Sequence, residues 1–343
     1  MRDLNALQRL TGIDPNLPGK KRSRISVPAD QGRTVDLPIT VVRQGPGPLV
    51  LFTGGSHGDE YEGPIALLKL ERELEPTDLV QGGVIIMPII NPPAVDAGTR
   101  TSPLDGKNLN RVFPGKEDGS VTDQIAYLIT EAVLPHVIAV LDLHAGGRSN
   151  SAVPSVMAHT FEDERRTRAT IDMLRAFRAP MAILIKEYDT NGVIDKGMLD
   201  TTAEEMGLLF GCGELGGVGT STPETIAVAE TGIRNIMKHF GLMRGQLETA
   251  AWLGKKRSRL VEALSYRHYG WATCDGIFEP FVEIEEPVEE GQPIGQIHPL
   301  EWDSRGPSVQ HAPVAGLVFC RWAFGRIHHG DDVVVIANES RRA

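Results

Sequence analysis

Between residues 48 and 240 short apolar runs of strand length alternate with helical stretches, and several of those runs stop at a glycine-flanked polar cluster. The run Pro48-Leu49-Val50-Leu51-Phe52-Thr53 leads into Gly54-Gly55-Ser56-His57-Gly58-Asp59-Glu60. Val137 to Leu143 leads into His144-Ala145-Gly146-Gly147, and a run beginning at Leu208 ends at Glu214-Leu215-Gly216-Gly217. Strands that are apolar throughout have both faces buried, which is the situation of a parallel sheet covered by helices. The alternation therefore predicts an α/β fold with a mixed, mostly parallel sheet flanked by helices. In such sheets ligands bind beyond the carboxyl ends of the strands, where these three clusters fall.

The remaining pattern fills in that frame. Helices are expected from about Glu62 to Leu74, Thr122 to Leu134, Glu162 to Phe177 and Pro223 to Phe240, and further strands at Val84 to Ile90, Ser155 to Ala158 and Met181 to Ile185. The stretch from Asn91 to Ser120 reads as one long polar loop, and loops of that length in compact domains are usually functional. Residues 1–47 read as an N-terminal extension and a strand region, residues 48–245 as the α/β domain, and residues 246–343 as a linker and a C-terminal β domain. The basic run Lys255-Lys256-Arg257-Ser258-Arg259 reads as a solvated linker. From Tyr269 onward short strands and turns resemble barrel-sandwich modules of the biotinyl/lipoyl type. No lysine follows Tyr269, so a swinging carrier arm is not expected.

Composition narrows the partners. A net charge of −10 repels phosphate backbones and anionic lipid heads, so neither nucleic acid nor a membrane surface is expected. Cys212, Cys274 and Cys320 are odd in number and widely spaced, which fits a reducing compartment. The start MRDLNALQRL lacks the apolar core of a secretory signal, and a cytoplasmic location is expected.

His57 and Glu60 stand at an H-x-x-E spacing, so one helical turn or a tight loop sets both side chains on one side. His144 follows another strand of the same sheet. Singly, each has a plain structural reading as a helix cap or a core histidine. Together, two imidazoles and one carboxylate make the usual donor set of a catalytic zinc site with a coordination position left open. Asp142 has two readings: it orients an imidazole, or it satisfies backbone donors at the strand end.

The ordered motifs Gly55-Ser56-His57-Gly58-Asp59-Glu60, Gly98-Thr99-Arg100, Asn108-Leu109-Asn110-Arg111, Asp142-Leu143-His144 and Gly213-Glu214 resemble those of the succinylglutamate desuccinylase/aspartoacylase family, within the zinc metallocarboxypeptidase-like fold. The resemblance spans roughly residues 45 to 335. Within the family, the stretches around His57 and Thr101 look closest to deacetylases of N-acetyl-diaminobutyrate. What the resemblance implies is one Zn2+ per subunit on His57, Glu60 and His144, with a metal-activated water hydrolysing the amide of a small-molecule N-acyl amino acid. It implies Glu214 as the proton-transferring glutamate, Arg100 as the group that polarises the scissile carbonyl, and Asn110 and Arg111 as the grip on the substrate carboxylate. It also implies a homo-oligomer. The sequence departs from the family at Asn108, where an aspartate is usual, and in a longer segment between Arg100 and Asn108, so the acyl group is not carried over. Two alternatives share the scaffold: a metallocarboxypeptidase acting on small peptides, and a non-catalytic ligand-binding protein.

Overall fold

A computed structural model describes residues 5–29, 32–185, 196–254, 258–263, 265–301 and 306–342. Ten strands build the α/β part: β1 (Gly19–Pro28), β2 (Thr34–Arg43), β3 (Leu49–Gly54), β4 (Gly83–Met87), β5 (Ala139–His144), β6 (Asn150–Ala152), β7 (Ser155–His159), β8 (Met181–Ile185), β9 (Leu209–Glu214) and β10 (Arg259–Ala263). All but β6 lie side by side in the order β1-β2-β4-β3-β5-β9-β7-β8-β10. The pairs β3–β4, β3–β5, β5–β9, β7–β8 and β8–β10 are parallel, whereas β1–β2, β2–β4 and β7–β9 are antiparallel. The sheet is thus mixed and mostly parallel at its centre. β3, β4, β5 and β8 are buried at every residue, as unbroken apolar runs require.

Helices cover both faces. The longer ones, α1 (Glu62–Glu73), α2 (Glu164–Phe177) and α3 (Pro223–His239), bury Leu67, Leu70, Leu174, Phe177, Ile233 and Ile236 in one core with Phe52 and Leu141. On the other face Leu7, Ile125, Ile129 and Leu199 pack with Leu51, Ile85 and Val140. A Cβ on Gly63 in α1 would stand 2.4 Å from the Leu143 carbonyl oxygen, so glycine is what lets α1 sit directly on β5. Phe52 is fully buried between these layers, and its truncation to alanine should cost about 3–5 kcal/mol.

Three local expectations are revised. First, β1 is a full partner of β2, so the N-terminal segment extends the sheet. Its outer face carries Lys20, Arg22 and Arg24 and only Ile25 and Val27 are buried, which is how an edge strand hides from an apolar-run search. Second, residues 91–120 are not a single loop. Pro92–Ala97 is helical, with proline in its first turn and Gly98 left-handed at its C-cap, and Leu109–Arg111 forms a 3-10 turn. Third, the helix begun at Val121 stays α-helical only to Leu128. It continues as a π turn (Ile129–Val133) and a 3-10 turn (Leu134–His136), because Pro135 has no N–H to extend the ladder. Of the basic run, Lys255, Lys256 and Arg257 lie outside the described residues, and Arg259 opens β10.

The C-terminal region adds a separate four-stranded antiparallel sheet, made by Gly276–Pro280, Pro293–His298, Ser308–His311 and Arg326–Ile327. It also returns to the main sheet. The strand Gly316–Trp322 pairs with β6 in the register Cys320↔Ala152, Arg321↔Ser151 and Trp322↔Asn150. The strand Asp332–Glu339 pairs with Gly316–Trp322 and, at its far end, with β10. Main-chain ladders therefore seat the C-terminal region beside the carboxyl ends of β5 and β9.

Candidate metal centre

The turn after β3 folds tightly enough to aim two side chains at one point. A Cβ on Gly58 would lie 1.7 Å from the Ala94 carbonyl oxygen, so only glycine fits there. Asn91, fully buried, donates from Nδ2 to the Ser56 carbonyl at 3.0 Å and pins the turn. His57 and Glu60 emerge from it almost fully buried. His144 ends β5, and the β5–β9 register places Glu214 directly opposite it.

Among the described residues, His57, Glu60 and His144 form a group of donor atoms within 4.8 Å of one another. His57 Nδ1 is 2.7 Å from Glu60 Oε1, and His144 Nδ1 is 2.8 Å from Glu60 Oε2. The opposite ring nitrogens are also engaged. His57 Nε2 donates to Asn108 Oδ1 at 3.1 Å, and His144 Nε2 donates to Asp142 Oδ2 at 2.8 Å. Neither acceptor carries a proton to give: the Asn108 oxygen has none, and the second Asp142 oxygen accepts from Thr53 Oγ1 at 2.8 Å. Both Nε2 atoms must therefore hold a ring proton, so that in the neutral rings each Nδ1 lone pair faces the Glu60 carboxylate. Lone pairs opposed to an anion repel, and a cation between them removes the conflict. The donor set thus fits a divalent metal, with two rings locked in the coordinating tautomer.

The electrostatics favour a positive charge at the same point, whether a proton or a metal. Burial would raise the Glu60 carboxyl, but His57 and His144 outweigh it and hold Glu60 well below the usual carboxylate range. Burial pulls His57 below its ordinary value despite Glu60. Burial also opposes charge on His144, yet Asp142 and Glu60 together hold that ring well above its ordinary value. The two rings differ because His144 faces two carboxylates and His57 only one.

Of the two readings of Asp142, the structure favours the first: its oxygens meet the His144 ring and the Thr53 hydroxyl, and no backbone donor among the described residues. Asn108 does the equivalent task for His57 and also caps its own turn by accepting from Asn110 N at 2.9 Å. Arg100 reaches in from the segment after Gly98, with Nη1 3.4 Å from His57 Nδ1 and 3.5 Å from Glu60 Oε1. Asn110 is fixed by accepting the Leu199 N–H at 2.9 Å, and Arg111 donates to the Asn110 carbonyl at 2.6 Å.

All seven of these sequence-expected residues, His57, Glu60, Arg100, Asn110, Arg111, His144 and Glu214, line one cavity of about 420 Å3. Its other wall was not foreseen residue by residue. Asn150 comes from β6, and Tyr269, Phe319, Cys320, Trp322 and Asp332 come from the C-terminal region. These residues belong to no motif; the pairing of β6 with Gly316–Trp322, of that strand with Asp332–Glu339, and of Asp332–Glu339 with Tyr269–Trp271 brings them to the site. Among the described residues no helix is long and apolar enough to cross a membrane.

Comparison with known proteins agrees with the geometry. The model of the succinylglutamate desuccinylase/aspartoacylase catalytic domain matches residues 46–240. The chain is 40% identical over 303 residues to the N-alpha-acetyl-L-2,4-diaminobutyric acid deacetylase of Halomonas elongata, covering 88% of this chain and 86% of that protein. Its fold superposes with a TM-score of 0.90 on a succinylglutamate desuccinylase/aspartoacylase from Rhodobacter sphaeroides, at 33% identity over 96% of this chain and 98% of the other. It superposes with a TM-score of 0.87 on the product-bound ectoine utilization protein EutE (DoeB) from Ruegeria pomeroyi, at 34% identity with the same coverage. With its fold, its converging histidines and glutamate, and more than half its length matched, the chain belongs to the succinylglutamate desuccinylase/aspartoacylase family.

Proposed function

We propose that this protein is a zinc-dependent deacylase of N-acyl amino acids, with N-acetyl-2,4-diaminobutyrate as its leading candidate substrate. The observation that carries this reading is the tautomer lock. Two buried imidazoles present their free nitrogens to one carboxylate, beside an arginine and a second glutamate, in a cavity sized for a small molecule.

His57, Glu60 and His144 would hold one Zn2+ per chain. When bound, zinc supplies Lewis acidity and lowers the pKa of water towards neutrality. The chain's own residues do the rest. Glu214, opposite His144 on the next strand, takes the proton of the attacking water and delivers it to the leaving amine. Arg100 offers its guanidinium to the scissile carbonyl oxygen and stabilises the negative charge that develops there. Arg111, with Asn110 beside it, grips the substrate carboxylate through the planar fork that suits a two-oxygen anion. Asp142 and Asn108 keep the two rings oriented.

The C-terminal wall favours deacylation over peptidase action. Tyr269, Phe319 and Trp322 add bulk to the cavity wall and narrow the room for a longer peptide. The test is a screen of N-acetyl, N-succinyl and N-formyl amino acids, including acetyl-diaminobutyrate and acetyl-aspartate, with zinc-loaded protein. Turnover of an acetyl-amino acid with inert tri- and tetrapeptides is the expected result. Steady cleavage of the peptides with inert acyl-amino acids would reverse the assignment.

A further inference from the structure

The cavity wall holds an anion that the hydrolytic chemistry does not use. Asp332, the first residue of the strand Asp332–Glu339, lines the cavity and accepts from Asn150 Nδ2 at 3.1 Å. Because the carboxylate requires a donor, this contact fixes which end of the Asn150 amide is nitrogen. The other end, Asn150 Oδ1, is buried and has no hydrogen-bond partner among the described residues. Asn150 lines the same cavity. Asp332, oriented by the Asn150 amide, therefore places a carboxylate in this wall.

The neighbouring acids are otherwise occupied. Asp331 Oδ2 accepts from the His328 backbone N–H at 2.8 Å and closes its own turn. Asp200, on the far side of the cavity, accepts from Thr201 N and lies in the field of His159. The cations in the cavity, Arg100 and Arg111, are assigned above to the scissile carbonyl and the substrate carboxylate. Of the ligands that could meet this wall, a hydroxyl would donate to the carboxylate without neutralising it. An ammonium would both donate to it and balance its charge.

We propose that Asp332, oriented by the Asn150 amide, forms the subsite for a cationic amino group on the substrate's side chain, so that the cavity selects N-acyl diamino acids over their neutral counterparts. This rests on the deacylase reading and supplies its specificity element. It also gives the C-terminal region a role in recognition. Burial pushes the Asp332 carboxyl up to about 6, with Arg100 pulling the other way, so the group is mostly ionised at neutral pH and ready to pair with an ammonium.

The experiment compares kcat/KM for N-acetyl-L-2,4-diaminobutyrate and N-acetyl-L-norvaline, which differ in a terminal ammonium against a methyl, in the zinc-loaded wild type and in Asp332→Asn. Leaving a buried polar pair unmatched is discriminated strongly, so the wild type should prefer the diamino substrate by about 100-fold or more. Asp332→Asn should reduce that preference about 10- to 100-fold, through KM for the charged substrate, and leave the norvaline derivative unaffected. An equal loss on both substrates, or an unchanged preference, overturns the proposal.

Asp332→Glu guards against a folding artefact. It keeps the charge but advances it by one methylene, and should shift preference towards N-acetyl-2,3-diaminopropionate. An Asp332→Glu variant with wild-type preference among chain lengths also overturns the proposal. Calorimetric binding of free 2,4-diaminobutyrate and norvaline separates this inference from the deacylase reading. Tighter binding of the diamino acid to the wild type, lost in Asp332→Asn, upholds the subsite even if no acyl-amino acid is hydrolysed. Equal binding of the two by the wild type removes the subsite whatever the hydrolysis shows.

Discussion

The two walls of the cavity are built on different principles. On the α/β side the two histidines and their carboxylates are doubly committed. His57 and His144 each spend one nitrogen on an orienting partner and offer the other to the centre, and both oxygens of Asp142 are used. On the C-terminal side the residues are mostly aromatic or apolar, and the half-buried acid Asp332 has a single asparagine contact among the described residues. Over-determined groups suit chemistry, which needs fixed geometry, while under-satisfied groups suit recognition, since a ligand completes them. The contrast assigns bond breaking to one wall and choice of substrate to the other.

That division can be broken most sharply at Glu214. Glu214→Gln keeps the shape and removes the base, so kcat should fall about 1,000-fold while zinc content stays at the wild-type level. Near-full activity in this variant would take the proton transfer away from the strand opposite His144. Arg100→Met should lower kcat about 100- to 1,000-fold with little change in KM, because its guanidinium acts on charge that appears only in the transition state. A change confined to KM would move Arg100 from chemistry to binding.

Asp142→Asn tests the tautomer lock. An amide at this position can still meet His144 Nε2 but carries no charge, so zinc affinity, read by chelator competition, should fall about 10- to 100-fold. Unchanged affinity would reduce Asp142 to a strand-end spacer. The smallest effect belongs to the other wall. Asp332 is raised by burial from its ordinary value to about 6, so the folded state holds its proton more tightly than the unfolded chain. Its contribution to stability is then fully present below about pH 4 and lost as pH rises through about 6. The melting temperature of the wild type should fall by a few degrees relative to Asp332→Asn across that window. Parallel curves for the two proteins would show that the carboxylate is not held in a dry wall.

The same contrast explains what the sequence made legible. His57, Glu60, His144 and Glu214 are chemistry-bearing residues at the ends of apolar strands, and both their type and their place in the chain mark them. The helix Pro92–Ala97 carried a signal too, proline at its start and Gly98 at its end, but was hidden inside a polar stretch. β1 was obscured by its charged outer face. Asn150 and Asp332 carry no mark at all. They are 182 residues apart and meet only because Gly316–Trp322 pairs with β6 on one side and with Asp332–Glu339 on the other. Long-range registry of this kind is set by the packed sheet and leaves no local pattern to read.

The central claim, that one metal ion on His57, Glu60 and His144 drives the reaction, is tested most directly by titrating zinc into chelator-stripped protein while following hydrolysis of N-acetyl-2,4-diaminobutyrate. Activity should rise from zero in proportion to bound zinc and level off at one ion per chain. Full turnover by the stripped protein, or a His144→Ala variant that titrates like the wild type, would contradict it.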